Sequence, residues 1–183
     1  MGELVEVPKE KLSFADPGGI TALVSTVSAD GVNNLAPFGF FTMCSIEPPM
    51  VAVGVRESID TYKNALAAKE FVVGIPGEDI VGQAYHCADK VVDEFKHTGL
   101  TPIPSMAVKP PSIAECQANL ECRLAEMKPV GDHVLMIGEI VAARVKEEVY
   151  SDDKMEMREK MDYVVHLTKN VFFTKKGKKL ILP

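Results

Sequence analysis

The chain has 183 residues, 46% of them hydrophobic and 25% charged, a composition that suits a soluble globular fold with a sizeable core. With 20 basic and 26 acidic residues its net charge is −6, a poor match for nucleic acid or an anionic membrane surface. No apolar run reaches the roughly 18–20 residues that cross a bilayer, and MGELVEVPKEKL (1–12) lacks the apolar stretch of a signal peptide, so a cytoplasmic protein is expected.

ITALVSTV (20–27) is short, β-branched and closed by the turn residues SADG, which predicts a strand. LAPFGFFT (35–42) reads as its hairpin partner, with Pro37 and Gly39 pointing to a bulge or a sheet edge. PMVAVGVR (49–56) is a third strand. DTYKNALAA (60–68) switches to helical spacing with Asp60 as a cap, and EFVVGIP (70–76) returns to strand. Residues 77–97 are mostly helical, with Ile80, Val81, Ala84 and Tyr85 at helical spacing. TPIPSMAVKPPS (101–112) is a Pro-rich connection, of a length that is often functional.

NLECRLAEMKPV (119–130) and HVLMIGEIVAARVKEEV (133–149) follow; the second is too long for a flat strand, and Gly138 is a natural bend. DDKMEMREKM (152–161) reads as an exposed helix with Glu156 and Lys160 at i,i+4. VVHLTKNVFFT (164–174) is a last strand or hairpin, and the four lysines of KKGKKLILP form a solvated tail. Many closely spaced strands with a few helices between them predict a mainly β fold with α additions, a β-barrel decorated by helices, with residues 1–183 forming a single domain.

Cys44, Cys87, Cys116 and Cys122 make no CxxC pair and are expected to be free thiols, buried or half-buried. His86 stands beside Cys87, but no recognised ligand spacing accompanies it, so no metal site is expected. GxGxxG after a strand, GxxxxGK[ST], GxSxG and HExxH are all missing.

Two stretches carry the chemistry. RESIDTYKN (56–64) places Arg56 at a strand end, hydroxyls at Ser58 and Thr61, and the free N–H groups of a helix start in one place, with Lys63 one turn on. That set suits a phosphate. It equally suits a strand end capped onto a helix, with Asp60 as cap and Arg56 paired to Glu57. NNLAPFGFFTMCSIEPP (33–49) is uncharged until Glu47. Groups around Asn34, Ala36 and Phe38 could hydrogen-bond a flat heterocycle, Thr42 and Ser45 could reach a sugar or phosphate, and the phenylalanines could supply stacking surface or simply core.

The run from Ser25 to Ile75 resembles the flavin reductase-like family of FMN-binding split β-barrels, which includes flavoredoxin. The resemblance rests on N-x-A-P-F-x-x-F-T-x-x-S-x-x-P-P, a second apolar strand, D-T-x-x-N and an E-F-V-V strand. DEFKHTGLTPIPS (93–105), KPPSIAECQANLECRL (109–124) and GDHVLMIGEIVAARV (131–145) extend it in the right order. It implies a homodimer with FMN near the subunit interface, the isoalloxazine against 33–42 and the phosphate near Ser45 and the 56–64 turn. On that basis FMN contacts are assigned to Asn34, Ala36, Pro37, Phe38, Thr42, Ser45, Arg56, Ser58, Thr61, Lys63 and Asn64. Many relatives carry Ser where this chain has Gly39, and the region from about 150 matches only loosely.

The activity implied is a flavin-dependent oxidoreductase. A reduced donor, NAD(P)H or similar, would deliver reducing equivalents to an acceptor such as free flavin or a redox protein partner. His133, in GDH at a strand start, is the candidate catalytic residue, with His166 a weaker one. Two alternatives stay open: a non-catalytic FMN-binding electron-transfer module, and a pyridoxamine phosphate oxidase-type enzyme. The second requires a further basic cluster that the sequence does not display.

Overall fold

A computed structural model of the chain describes residues 2–177 and 179–182. Strands β1 (Gly19–Ile20), β2 (Ala22–Val27), β3 (Asn33–Phe38), β4 (Phe41–Ser45) and β5 (Met50–Val55) come first. Helix α1 (Asp60–Ala68), β6 (Glu70–Ile75) and the short helices α2 (Val81–His86) and α3 (Glu94–Thr98) follow. The two-residue strands β7 (Pro102–Ile103) and β8 (Ser112–Ile113) lead into a long pair, β9 (Ala118–Val130) and β10 (His133–Val145). Helix α4 (Lys154–Lys160) and strands β11 (Val164–Thr168), β12 (Val171–Thr174) and β13 (Lys179–Ile181) end the described chain. None of the described helices is long and apolar enough to cross a membrane.

Seven strands form one antiparallel sheet in the order β3-β2-β6-β9-β10-β5-β4. Its two edge strands, β3 and β4, are separated in sequence only by Gly39 and Phe40. The sheet must therefore curl until its first and last strands nearly meet, yet those strands do not pair with each other. That is a split barrel. A second sheet, β1-β11-β12-β13, packs at the seam: Gly19 lies so close that a Cβ there would stand 1.7 Å from the Gly39 carbonyl oxygen.

Strand periodicity divides the core in two. On β2, Ala22 and Val24 face the barrel interior with Val51, Val53, Phe71, Val73 and Met136. Leu23 points the other way, into a cluster of Leu35, Ile80, Ala84, Phe95 and Ile113 beneath the short helices. β2 is buried on both faces, which explains an apolar run without clear alternation. In β10, Gly138 serves closeness as well as bending. A Cβ there would meet Phe71 Cζ at 2.4 Å, and the register slips beside it, skipping Ala125 on β9.

Several local expectations change. The 35–42 stretch is two strands broken at Gly39–Phe40, because both halves are sheet edges leading in opposite directions around the seam. Residues 77–97 are mostly helical as expected, but divided into a 3-10 turn and two short helices. Of the residues at helical spacing, Ile80 and Ala84 anchor in one apolar cluster, and Val81 and Tyr85 in another with Val164 and Phe172. The N-cap of α1 is Ile59, with no side-chain cap bond; Asp60 lies one residue inside and accepts from Lys63 Nζ at 3.1 Å.

The Pro-rich connection is held by buried carboxylate and amide groups. Glu121, fully buried on β9, accepts from the N–H of Met106 and Ala107 at 2.9 and 2.6 Å. Asn119 exchanges two hydrogen bonds with Ile113, at 2.8 and 2.9 Å. The Glu156–Lys160 pair forms, at 2.7 Å. Of the four closing lysines, Lys175 is no solvated tail residue: its Nζ donates to the Arg158 and Met161 carbonyls at the end of α4. Lys178 lies outside the described residues.

Candidate active site

β3 pairs with β2 on one side and faces an open groove on the other. The groove, about 630 Å³, runs from Asn34–Phe38 past the start of α1 (Ser58–Thr61) to a wall made by residues 87–92 and Glu94. That size lies within the roughly 300–1,000 Å³ usual for small-molecule sites. The Leu35 N–H leaves the sheet to reach Glu94 Oε2 at 3.3 Å. Residue 37 points along the same outer edge, so a proline there costs the ladder no hydrogen bond. The apolar, proline-bearing strand is thus a sheet edge lining a cavity.

At one end the groove meets the N-terminus of α1. Its first-turn N–H groups have no intrahelical partners, and Ile59 supplies no side-chain cap. The exposed Ser58 hydroxyl stands beside them. This is an anion-accepting arrangement, with Asp60 partly neutralised by Lys63.

Adjoining the groove at Pro37, Phe38 and the α1 N-cap Ile59 is a recess of about 300 Å³, lined also by Phe40, Arg56, His133 and His166. Phe40 packs edge-on against the His133 ring, centroids 5.4 Å apart. His133 Nδ1 lies 2.7 Å from Asp132 Oδ1, and that hydrogen bond holds the Asp132 carboxyl below the usual carboxylate range. Arg56 pairs with Asp132 at 3.6 Å, not with Glu57. A third, more enclosed cavity of about 210 Å³ adjoins Pro37 and Phe38 and reaches Thr21, Tyr85, His166 and Phe172. The Thr21 hydroxyl is buried there without a hydrogen-bond partner.

The structure brings together Asn34, Ala36, Pro37, Phe38, Ser58 and Thr61 along the groove, and Arg56 and His133 in the adjoining recess. Three of the expected contacts, Asn34, Thr61 and Asn64, are tied into one internal network. Asn34 donates to Thr26 Oγ1 at 3.2 Å and Thr61 Oγ1 at 3.1 Å, and Asn64 donates to Thr26 Oγ1 at 3.3 Å. Thr26 and Thr61 are buried, so this network braces α1 against β2 and β3. Thr42 and Ser45 lie on β4, away from the groove, and the Thr42 hydroxyl donates to the Met43 carbonyl. Lys63 points to Asp60.

Gly39 now has a steric reason: a Cβ there would stand 3.2 Å from His166 Nδ1. Cys44 is exposed, contrary to expectation, while Cys87, Cys116 and Cys122 are buried. Burial pushes the Cys87 and Cys122 thiols up to about 12 and raises Cys116 as well, so none of the three is a ready nucleophile. Sequence reasoning missed Asp132, although it stands in the same GDH triplet as His133. It also missed the 87–94 wall, which resembles an ordinary helix–helix connection.

The curled seven-stranded split barrel is a fold shared with solved flavin reductase and flavoredoxin structures. Residues 17–164 match the flavin reductase like domain, and the chain belongs to that family, whose class is that of flavin-dependent oxidoreductases. An uncharacterised protein of Aquifex aeolicus is 36% identical over 138 residues, 71% of this chain and 70% of that one. The NADH:riboflavin 5'-phosphate oxidoreductase of Streptomyces pristinaespiralis is 30% identical over 122 residues, 67% of this chain and 68% of that one. Among solved structures, nitrilotriacetate monooxygenase component B from Bacillus cereus superposes with a TM-score of 0.84 at 24% identity, over 100% of this chain and 98% of that one. Flavoredoxin of Desulfovibrio vulgaris gives 0.74 at 24% identity, over 100% and 94%.

Proposed function

We propose that the protein binds FMN in the β3–α1 groove and uses it to move reducing equivalents from a nicotinamide donor, NADH or NADPH, to an acceptor such as free flavin or a redox protein. The observation that carries this reading is the groove itself. A flat apolar sheet edge runs directly into an uncapped helix N-terminus, which matches a planar ring with a phosphate at the end of its side chain. The name of the Streptomyces relative supports the donor class and the phosphorylated flavin.

A bound flavin supplies the hydride and electron chemistry; the protein supplies binding, orientation and electrostatics. The edge backbone at Ala36, Pro37 and Phe38 holds the ring. Ser58, the first-turn N–H groups of α1 and Arg56 hold the phosphate. Asn34, Thr61 and Asn64 keep the helix start in place through the Thr26 network. Asp132 fixes the His133 ring through Nδ1 and leaves Nε2 for the recess, with Phe40 edge-on against the ring. A homodimer is part of the same reading, since several large apolar side chains stand exposed on β4 and on the N-terminal segment.

The test is a flavin titration followed by anaerobic addition of NADH or NADPH. One FMN per chain is expected, with a micromolar constant or tighter, about −8 kcal/mol or better. Loss of the flavin's visible absorbance should follow donor addition. His133→Ala should keep FMN but slow that loss. No FMN bound in equilibrium dialysis at roughly ten times that constant would sink the proposal. FMN binding without reduction by either nucleotide would leave an electron-transfer module.

A further inference from the structure

The wall of the groove carries a side-chain cluster that the flavin reading does not use. His86 ends α2, Asp89 follows in the connection, and His97 lies on α3. Their ligand atoms all fall within 4.8 Å of one another. Both imidazoles aim at the same carboxylate oxygen: His86 Nδ1 is 3.1 Å and His97 Nε2 2.9 Å from Asp89 Oδ2. Each of the three side chains is close to half exposed, so water can reach the same point.

We propose that His86, Asp89 and His97 form a binding site for a divalent transition-metal ion such as zinc, which cross-links α2 to α3 behind the groove wall. The site goes beyond the flavin reading and does not depend on it. Bonds of about 2.0–2.2 Å place neighbouring ligand atoms about 3.0 Å apart in octahedral and about 3.4 Å apart in tetrahedral geometry. The two observed N–O separations need to change by only a few tenths of an ångström to reach either. Two imidazoles and one carboxylate suit zinc, cobalt or nickel better than the all-oxygen preference of magnesium or calcium. Three protein ligands with solvent access leave coordination positions for water.

Cys87, the adjacent soft ligand, is excluded from the set. Its side chain belongs to the apolar cluster under the helices and donates to the Gln83 carbonyl. What a metal would add here is mechanical. Asp89 lines the groove together with Ala88, Lys90 and Val91, and the backbone bonds between Gln83 and Asp89 are short-range turns. An ion bridging residue 86 to residue 97 would close a loop around that segment.

The experiment uses the full chain, stripped with a chelator, and Co²⁺ as the probe. The expected result is visible d–d absorption saturating at one Co²⁺ per chain, displaced by Zn²⁺. His86→Ala, His97→Ala and the near-isosteric Asp89→Asn should each weaken Co²⁺ binding by more than about tenfold. Replacing the other two histidines, His133 and His166, should leave it unchanged. All three altered positions are partly exposed, so circular dichroism should show an intact fold in each. No d–d absorption with excess Co²⁺, or bands that persist in the His86→Ala/His97→Ala double variant, would overturn the site and leave a hydrogen-bonded His–Asp–His trio only.

Discussion

At the scale of single residues, the proposed phosphate site is tested most directly at Arg56. Its only ion pair among the described residues is with Asp132 at 3.6 Å, and both side chains are mostly exposed. Such a pair contributes about 0–1 kcal/mol, so Arg56→Ala should leave the fold intact. A charge-assisted contact to phosphate is worth roughly 1.5–3 kcal/mol, and its loss should weaken FMN binding about ten- to a hundredfold. Riboflavin, which lacks the phosphate, should bind almost as before. Fluorescence titration of both flavins against both proteins is the measurement. An equal loss for the two flavins would move the phosphate to Ser58 and the α1 N-terminus. The contrast with Asn34, Thr61 and Asn64 shows what a sequence can display at this scale. Their types advertise hydrogen bonding, but their partners lie 8, 27 and 38 positions away. Whether an amide faces a ligand or a neighbouring strand is a tertiary fact. The position of Ser58 beside a helix start was legible because that geometry is local, although the expected Asp60 cap does not form.

At the scale of elements, strands buried on one or both faces were readable, since β-branched runs bounded by turn residues admit few alternatives. The breaks between the short helices were not. Ile80, Ala84 and Cys87 repeat with helical spacing, but Asp89 and Lys90 end the periodicity, and the connection to α3 is set by packing at Phe95 and Leu100. The Pro-rich 101–112 segment read only as a connection, because its anchors lie elsewhere in sequence. Glu121 holds Met106 and Ala107 from β9, Glu70 holds Lys109 from β6, and Arg144 donates to the Pro104 carbonyl from β10. Glu121→Gln should expose this dependence. The new amide would point one N–H donor at backbone N–H donors inside a fully buried site, at a cost of about 1–3 kcal/mol. For a chain of this length that lowers Tm by roughly 2–4 °C per kcal/mol. Thermal unfolding followed by limited proteolysis should show a lower Tm and faster cleavage near residues 104–110. An unchanged Tm with unchanged cleavage would show that the carboxylate is dispensable to the loop.

At the scale of the whole molecule, the split barrel leaves an edge that one chain does not cover. β4 is the last strand of the seven-stranded sheet, and on it and just beyond it Met43 and Ile46 are 49% and 86% exposed. The N-terminal 3-10 segment Lys9–Ala15 buries no residue, and its Phe14 is 77% exposed. An edge strand with uncovered apolar side chains invites pairing, and isolated chains normally blunt such edges with charge. Here the stretch from Phe38 to Ile46 carries no charged residue at all. A second copy of the chain is therefore the expected cover. An obligate pair would bury on the order of 2,000 Å² or more, far above a chance contact. Sedimentation velocity at micromolar concentration should give a dimer, with or without added FMN. Placing a charge in the patch, as in Met43→Glu combined with Ile46→Glu, should shift the protein to monomer without altering the barrel, because neither side chain belongs to the core. If the unaltered protein sediments as a monomer with FMN bound, the patch must serve a different partner, and the acceptor protein then becomes the first candidate to test against β4.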